Sequence, residues 1–291
     1  MTIVAAFLGL LAAALFAVAS AAQQRAAADV PDEAARGLGL MRTLIRRPLW
    51  WVGTLGDGGG FVAQAAALGL GSLLLVQPLL VTTLLFALPL SARWAGRPLS
   101  RSDGGWALVL VVALAVFVVV GEPTAGADRA SPERWFPAVV AIVVVLAGCL
   151  VGAALRRGTV RAVLLATCTA LMYGATAALI KGVVSLLDDG VLAVLTAWET
   201  WALIVVVTVG TLLQQSAFQA GALGASLPIV TVGEPVVAVV LGIAVLDEQV
   251  QSSGAEWVLI AVIAVVMAVA TAALARSSAR ATPATPARVP G

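Results

Sequence analysis

Apolar residues along this chain fall in blocks of about 20, separated by short clusters of charged residues, Gly, Ser and Pro, and a block of that length is what an α-helix needs to cross a bilayer. Nine such spans are predicted, at 3–22, 48–70, 72–93, 104–121, 135–155, 160–186, 194–217, 219–246 and 256–275. The blocks carry no ten-residue alternation of apolar and polar positions, which sets a β-barrel aside. Two connections are short, "LGLGS" around Gly69–Ser72 and "AGALGAS" around Ala220–Ser226, and Gly and Ser there suit tight helical hairpins. The expected fold class is an all-α integral membrane protein.

Composition agrees with that class. Of 291 residues, 61% are hydrophobic and 11% charged, with a mean hydropathy of +1.06. A soluble domain is nearer half apolar and a quarter charged. The charges also give an orientation, because Lys and Arg gather on the cytoplasmic side of a membrane protein. With the N-terminus outside, the inner segments hold Arg25, Arg36, Arg42, Arg46, Arg47, Arg93, Arg97, Arg101, Arg156, Arg157, Arg161, Arg276, Arg280 and Arg288, fourteen of the 17 basic residues. The outer segments hold Arg129 and Arg134, and Lys181 lies within a span. The acids Glu122, Asp128, Glu133, Asp188, Asp189, Asp247 and Glu248 fall outside. The net charge of +2 therefore reads as a topology signal and not as a nucleic-acid footprint. The expected location is the plasma membrane, multi-pass, with the C-terminus cytoplasmic. Small residues in "LFAVASAAQQ" are spaced like a signal-peptidase site, but no basic residue precedes the apolar stretch, so a retained first helix is expected.

An internal repeat is visible. Trp50 and Trp201, Gly59 and Gly210, Gln64 and Gln215, Ala66 and Ala217, and Trp106 and Trp257 each share a spacing of 151, while Pro78 and Pro235 are 157 apart. The common order is a Trp-led helix, a tight hairpin, a Pro-bearing helix, a loop and a second Trp-led helix. The division that follows is a first repeat of helices 1–4 (residues 1–134), a linker helix 5 (135–155), a second repeat of helices 6–9 (156–276) and a disordered tail (277–291). An odd linker helix inverts the second unit, and two inverted halves rocking about a midplane site are a basic plan of secondary transporters.

The stretches "WWVGTLGDGGGFVAQAAALGLGSLLLVQPLLV" and "ALGASLPIVTVGEPVVAVVLGIAVLDE" resemble the drug/metabolite transporter superfamily, EamA-like, and within it the nine-helix branch of NIPA-type proteins. The resemblance implies an inverted-repeat helical bundle, transport of a small solute and, for the NIPA-type branch, of magnesium. In the superfamily, small residues and a mid-helix Pro lead to an acid at the helix end, here Glu248. Where NIPA-type sequences carry Gly-Glu and then Asn, this chain has Gly56-Asp57 followed by glycines.

Charged groups within hydrocarbon are costly and usually face a bundle interior or a wet cavity. Asp57 in helix 2 and Glu234 in helix 8 lie near mid-bilayer by count, one in each repeat, and are expected to converge on a site for a cation or a proton. The structural alternatives are that Asp57 bonds backbone loosened by its neighbouring glycines, and that Glu234 serves backbone freed by Pro235. Gly56 and Gly60 have the small-xxx-small spacing of close helix packing, with a broken helix as the alternative. Lys181 and Glu199 share a depth and are read either as an outer gate pair or as groups reaching the interface. Gln64, Gln77, Gln214 and Gln215 either line a polar path or bond helices together. Tyr173, near mid-span, is a candidate substrate contact, whereas Trp198 and Trp201 suit interface anchors.

Several chemistries are not expected. The chain has no His, so no His-based triad, metal site or relay. Cys149 and Cys168 lack metal-ligand spacing and read as apolar fillers. "GTLGDGGG" is not followed by Gly-Lys-Ser/Thr, so it is not a phosphate loop. No enzyme activity and no cofactor are expected, and any metal would rest on Asp57 and Glu234. The expected partners are a small-molecule or cation substrate and the lipid bilayer, with a homodimer left open and no nucleic acid. The expectation is a secondary transporter of a small metabolite, drug or cation, driven by a gradient and open to proton coupling. A NIPA-type divalent-cation permease, a component of a flippase for lipid-linked intermediates, and a non-transporting membrane subunit are the alternatives.

Overall fold

A computed structural model describes residues 2–28, 46–94, 99–220, 223–250 and 256–281. The described residues are all-α apart from one two-residue ladder. In order, the helices are α1 (Thr2–Ala28), α2 (Pro48–Leu70), α3 (Leu73–Leu80), α4 (Thr83–Trp94), α5 (Arg101–Gly121), α6 (Pro132–Leu155), α7 (Gly158–Ser185), α8 (Val191–Thr196), α9 (Trp198–Ala220), α10 (Leu223–Leu246) and α11 (Glu256–Ala281). Strand β1 (Pro123–Thr124) follows α5, and β2 (Gln249–Val250) follows α10. Among the described residues, eight helical stretches are long and apolar enough to cross a membrane, with α3 and α4 together counting as one. The chain is therefore built as a multi-pass membrane protein.

Helix α2 has the length of a span but is not one of those eight. Its glycines, Asp57 and Gln64 lower its hydropathy. The same glycines explain its partner. Gly53, Gly56 and Gly60 are buried against α1, and a Cβ at Gly56 would stand 3.1 Å from the Cβ of Ala19, one at Gly60 2.7 Å from the Phe16 ring. Without side chains at these positions the two helices approach closely, and α2 runs unbroken from Pro48 to Leu70. The close-packing reading of Gly56 and Gly60 is the one the geometry takes. The Phe16 and Phe61 rings complete the contact edge to face at 5.1 Å.

The span predicted at 72–93 is interrupted, with α3 ending at Leu80 and α4 starting at Thr83. Pro78 contributes no amide hydrogen to α3. The Thr82 hydroxyl donates to the carbonyl of Leu79 at 2.6 Å and the Thr83 hydroxyl to that of Leu80 at 2.7 Å. Such back-bonding to a preceding carbonyl bends a helix and satisfies groups that lipid would leave unpaired. At the C-terminal end, α11 continues to Ala281, so residues 277–281 of the predicted tail are helical. The predicted inner segment and hairpin lie partly outside the described residues, at 29–45 and 221–222.

Helix α7 is the buried centre of the bundle and touches α2, α6, α9 and α10. One core joins Leu75 and Leu79 of α3 to Leu110, Leu114 and Phe117 of α5 and to Ile260, Ile263 and Met267 of α11. A second joins Leu68 of α2 and Val76 of α3 to Leu179 of α7 and Leu241 and Val245 of α10. At one end of the bundle, β1 and β2 pair antiparallel, with Pro123 opposite Val250 and Thr124 opposite Gln249. This bridged end ties the segment after α5 to the segment after α10. A Cβ at Gly126 would lie 2.0 Å from the carbonyl oxygen of Leu246, so only glycine fits there.

Candidate functional site

Two polar constellations stand out, a cavity among the helices and an ionic cluster at the bridged end. The cavity, of about 410 Å³, is lined from α1–α4 on one side and α7, α9 and α10 on the other. Three glycines let the second group of helices meet. A Cβ at Gly174 would come within 2.5 Å of Val237, one at Gly233 within 2.7 Å of Ala170, and one at Gly210 within 2.9 Å of the Tyr173 ring. These approaches set Tyr173 of α7 and Glu234 of α10 on the same wall. Pro235 leaves the carbonyl of Thr231 without its usual helical donor, and Thr231 also faces the cavity.

The polar lining is unevenly satisfied. The Tyr173 hydroxyl donates to Oε1 of Gln214 at 3.1 Å and lies 3.4 Å from the Thr211 hydroxyl. By contrast, Nε2 of Gln77 has no hydrogen-bond partner, although Gln77 is only 1% exposed. Glu234 has no hydrogen-bonding or ionic partner among the described residues. It is also the sole charged side chain in the lining among the described residues. A buried polar group without a partner costs free energy in a folded chain and calls for an explanation.

The structure brings five of the nine sequence-nominated residues together here, Gln64, Gln77, Tyr173, Gln214 and Glu234. The other four lie elsewhere. Asp57 does not line the cavity, so the expected convergence of Asp57 with Glu234 is corrected. Its carboxylate accepts from Nε2 of Gln23 at 2.5 Å beside α1. Asp57 and Gln64 are seven residues apart on α2, which places them on one face but about 10 Å apart along the axis. Gln215 points outward and is exposed, while its neighbour Gln214, about 100° around the helix, faces in.

Lys181 and Glu199 do not pair with each other, and both are buried, so neither the gate-pair reading nor the interface reading holds. Lys181 donates through Nζ to Oε1 of Glu248 at 2.7 Å, with both side chains almost wholly buried. The Glu248 carboxylate also accepts from the backbone N–H of Leu73 at 2.9 Å and of Leu74 at 3.1 Å. It therefore caps α3, whose first turn has no acid of its own, and uses the positive end of that helix. Gly242 makes room for it, since a Cβ there would meet Oε2 at 2.7 Å. Glu199 instead receives Nε and Nη2 of Arg129 at 3.0 and 2.7 Å. Arg134 pairs with Asp247 at the exposed rim, and Trp135 stacks edge to face on Trp198 at 5.8 Å.

Sequence reasoning missed the threonines of the lining, Thr83, Thr176, Thr211 and Thr231, and the burial of Glu248. The threonines carry no distinctive signal, since Thr also back-bonds within apolar helices. For Glu248 the signal was available: α3 starts straight after a tight turn, and its free amides need an acceptor from elsewhere.

No protein-family profile and no solved structure matches the chain. An uncharacterized protein of Corynebacterium glutamicum is 36% identical over 261 residues, covering 87% of this chain and 90% of that protein. The chain belongs to the same family as this corynebacterial protein.

Proposed function

We propose that the chain is a secondary transporter of the drug/metabolite transporter type, moving a small metabolite, drug or cation across the plasma membrane by alternating access. The cavity carries this reading. It lies between helices from the two ends of the sequence and holds the Glu234 carboxylate and the unpartnered amide donor of Gln77. Cavities between helices at membrane depth that retain ionisable groups are substrate or ion paths by default.

In this reading α2 is the ninth span, crossing the membrane despite its glycines because they pack it against α1. The two units are α1–α5 and α7 with α9–α11, inverted about the linker α6. Helix packing supports that division: α1 with α2 corresponds to α7 with α9, α1 with α4 to α7 with α10, and the Trp-led helices α5 and α11 pack on each other. The bridged end is outermost, in keeping with the placing of the basic residues, and its ion pairs hold the outer side of the cavity closed. Solute then enters from the opposite end. Proton coupling in this reading runs through Glu234.

Flux in proteoliposomes tests the proposal, under an imposed pH gradient and then a magnesium gradient, for wild type, Glu234→Gln and Asp57→Asn. Glu234→Gln is expected to abolish flux and Asp57→Asn to leave it near wild type. Magnesium flux independent of protons would favour a NIPA-type divalent-cation permease. Absence of any flux across a broad solute panel would favour a flippase component or a membrane subunit.

A further inference from the structure

We propose that the cavity binds a small organic monocation with an apolar body, with Glu234 as its counter-ion and Gln77 donating through Nε2 to an acceptor on the same molecule. This rests on the transporter reading of the cavity and names the class of its substrate.

Charge is the first ground. Among the described residues Glu234 is the one charged group in the lining, with no Lys or Arg there to neutralise it. A carboxylate at this depth needs a proton or a cation beside it. An anionic substrate would meet repulsion from Glu234 and no basic partner.

The second ground is the orphaned donor. Gln77 is 1% exposed, its Nε2 is unpaired, and it shares the cavity with Glu234. A bound molecule with a carbonyl or ether oxygen would satisfy it. Elsewhere in the lining, the Tyr173 hydroxyl already donates to Oε1 of Gln214. Gln64 is buried in the same lining, so the recognition demand is one positive charge and at least one hydrogen-bonding oxygen.

Size and surface are the third ground. About 410 Å³ lies within the range of roughly 300–1,000 Å³ of pockets for organic ligands. Phe16, Phe61 and Tyr173 supply aromatic walls, which hold apolar bodies and attract cations. A divalent metal wants a tight shell of several oxygens. Among the described residues no three His, Cys, Asp or Glu side chains cluster.

Binding to the intact protein in lipid nanodiscs at neutral pH tests this with four probes of similar shape, followed by calorimetry. Phenylalaninamide carries both the cation and the carbonyl, 2-phenylethylammonium only the cation, 3-phenylpropanamide only the carbonyl, and 3-phenylpropanoate a negative charge. Phenylalaninamide should bind tightest, with 3-phenylpropanamide weaker by on the order of tenfold or more and 3-phenylpropanoate undetectable. Glu234→Gln should erase the preference for phenylalaninamide over 3-phenylpropanamide. Gln77→Leu should erase its preference over 2-phenylethylammonium, while Gln215→Leu, on the outward face, should change neither. Neutral or anionic probes binding as tightly as the cation, or preferences that survive Glu234→Gln, would overturn the proposal. So would failure of all four probes to bind protein whose melting is cooperative. Proteoliposome flux of a neutral or anionic solute, lost in Glu234→Gln, would in that case leave the transporter reading standing.

Discussion

Glu234 and Glu248 lie on one stretch of chain, the first half-buried and the second buried, and their surroundings are opposite. Glu248 receives the Lys181 ammonium and two backbone N–H groups and is wholly enclosed by them. Glu234 faces a cavity in which nothing binds it, beside a glutamine whose amide is likewise unpaired. One carboxylate is spent on architecture, joining α10, α7 and the start of α3. In the proposed reading, the other is left for a bound solute or proton. The difference teaches how to sort costly polar groups inside an apolar bundle: satisfaction marks a joint, and dissatisfaction beside a cavity marks a site.

The largest expected effect breaks the joint. Glu248→Ala leaves the Lys181 charge buried alone and two amides of α3 uncapped, at a cost of about 3–5 kcal/mol. A strongly lowered melting temperature in nanodiscs would show it, and a melt equal to wild type would refute the assignment. Lys181→Met combined with Glu248→Ala should cost less than the sum of the single changes, because the pair acts as a unit.

Overpacking comes next. Gly60→Leu pushes into the Phe16 ring and forces α1 from α2, for about 1–3 kcal/mol. A cysteine cross-link engineered between the two helices should form more slowly in that variant if the contact is as tight as described.

At the cavity the sign should differ. Gln77→Leu removes an amide whose donor is already unsatisfied, so stability should stay within about 1 kcal/mol of wild type or rise. A clear loss of stability would mean that Gln77 belongs with the joints. Smallest of all is Arg134→Ala at the exposed rim, for which about 0–1 kcal/mol is expected and less in high salt. A larger effect in a salt-titrated melt would count Arg134 and Asp247 with the structural joints such as Lys181 and Glu248.

The positions of the helices were legible because bilayer thickness imposes a block length that the chain must show openly. Helix α2 was legible to the residue, with Pro48 in its first turn and Gly71 just beyond its end. The break between α3 and α4 was not, because it depends on which carbonyls the Thr82 and Thr83 hydroxyls take. Half of the candidate site was legible for a similar reason. A count along one helix gives depth, so Glu234 and Tyr173 could be placed. It does not give the offset between distant helices, and Asp57, two turns from Gln64 on α2, shows the consequence. Pairings across the chain were the least visible. Lys181 and Glu248 are 67 residues apart, and nothing local distinguishes that partner from Glu199.

The most direct test compares Glu234→Gln with Glu248→Gln, two equivalent changes on one segment, by melting and by proteoliposome flux on the same preparations. The account predicts that Glu234→Gln melts like wild type and carries no flux, whereas Glu248→Gln melts well below both. Wild-type flux in Glu234→Gln, or a loss of stability in it equal to that of Glu248→Gln, would contradict the division of the two carboxylates into site and joint.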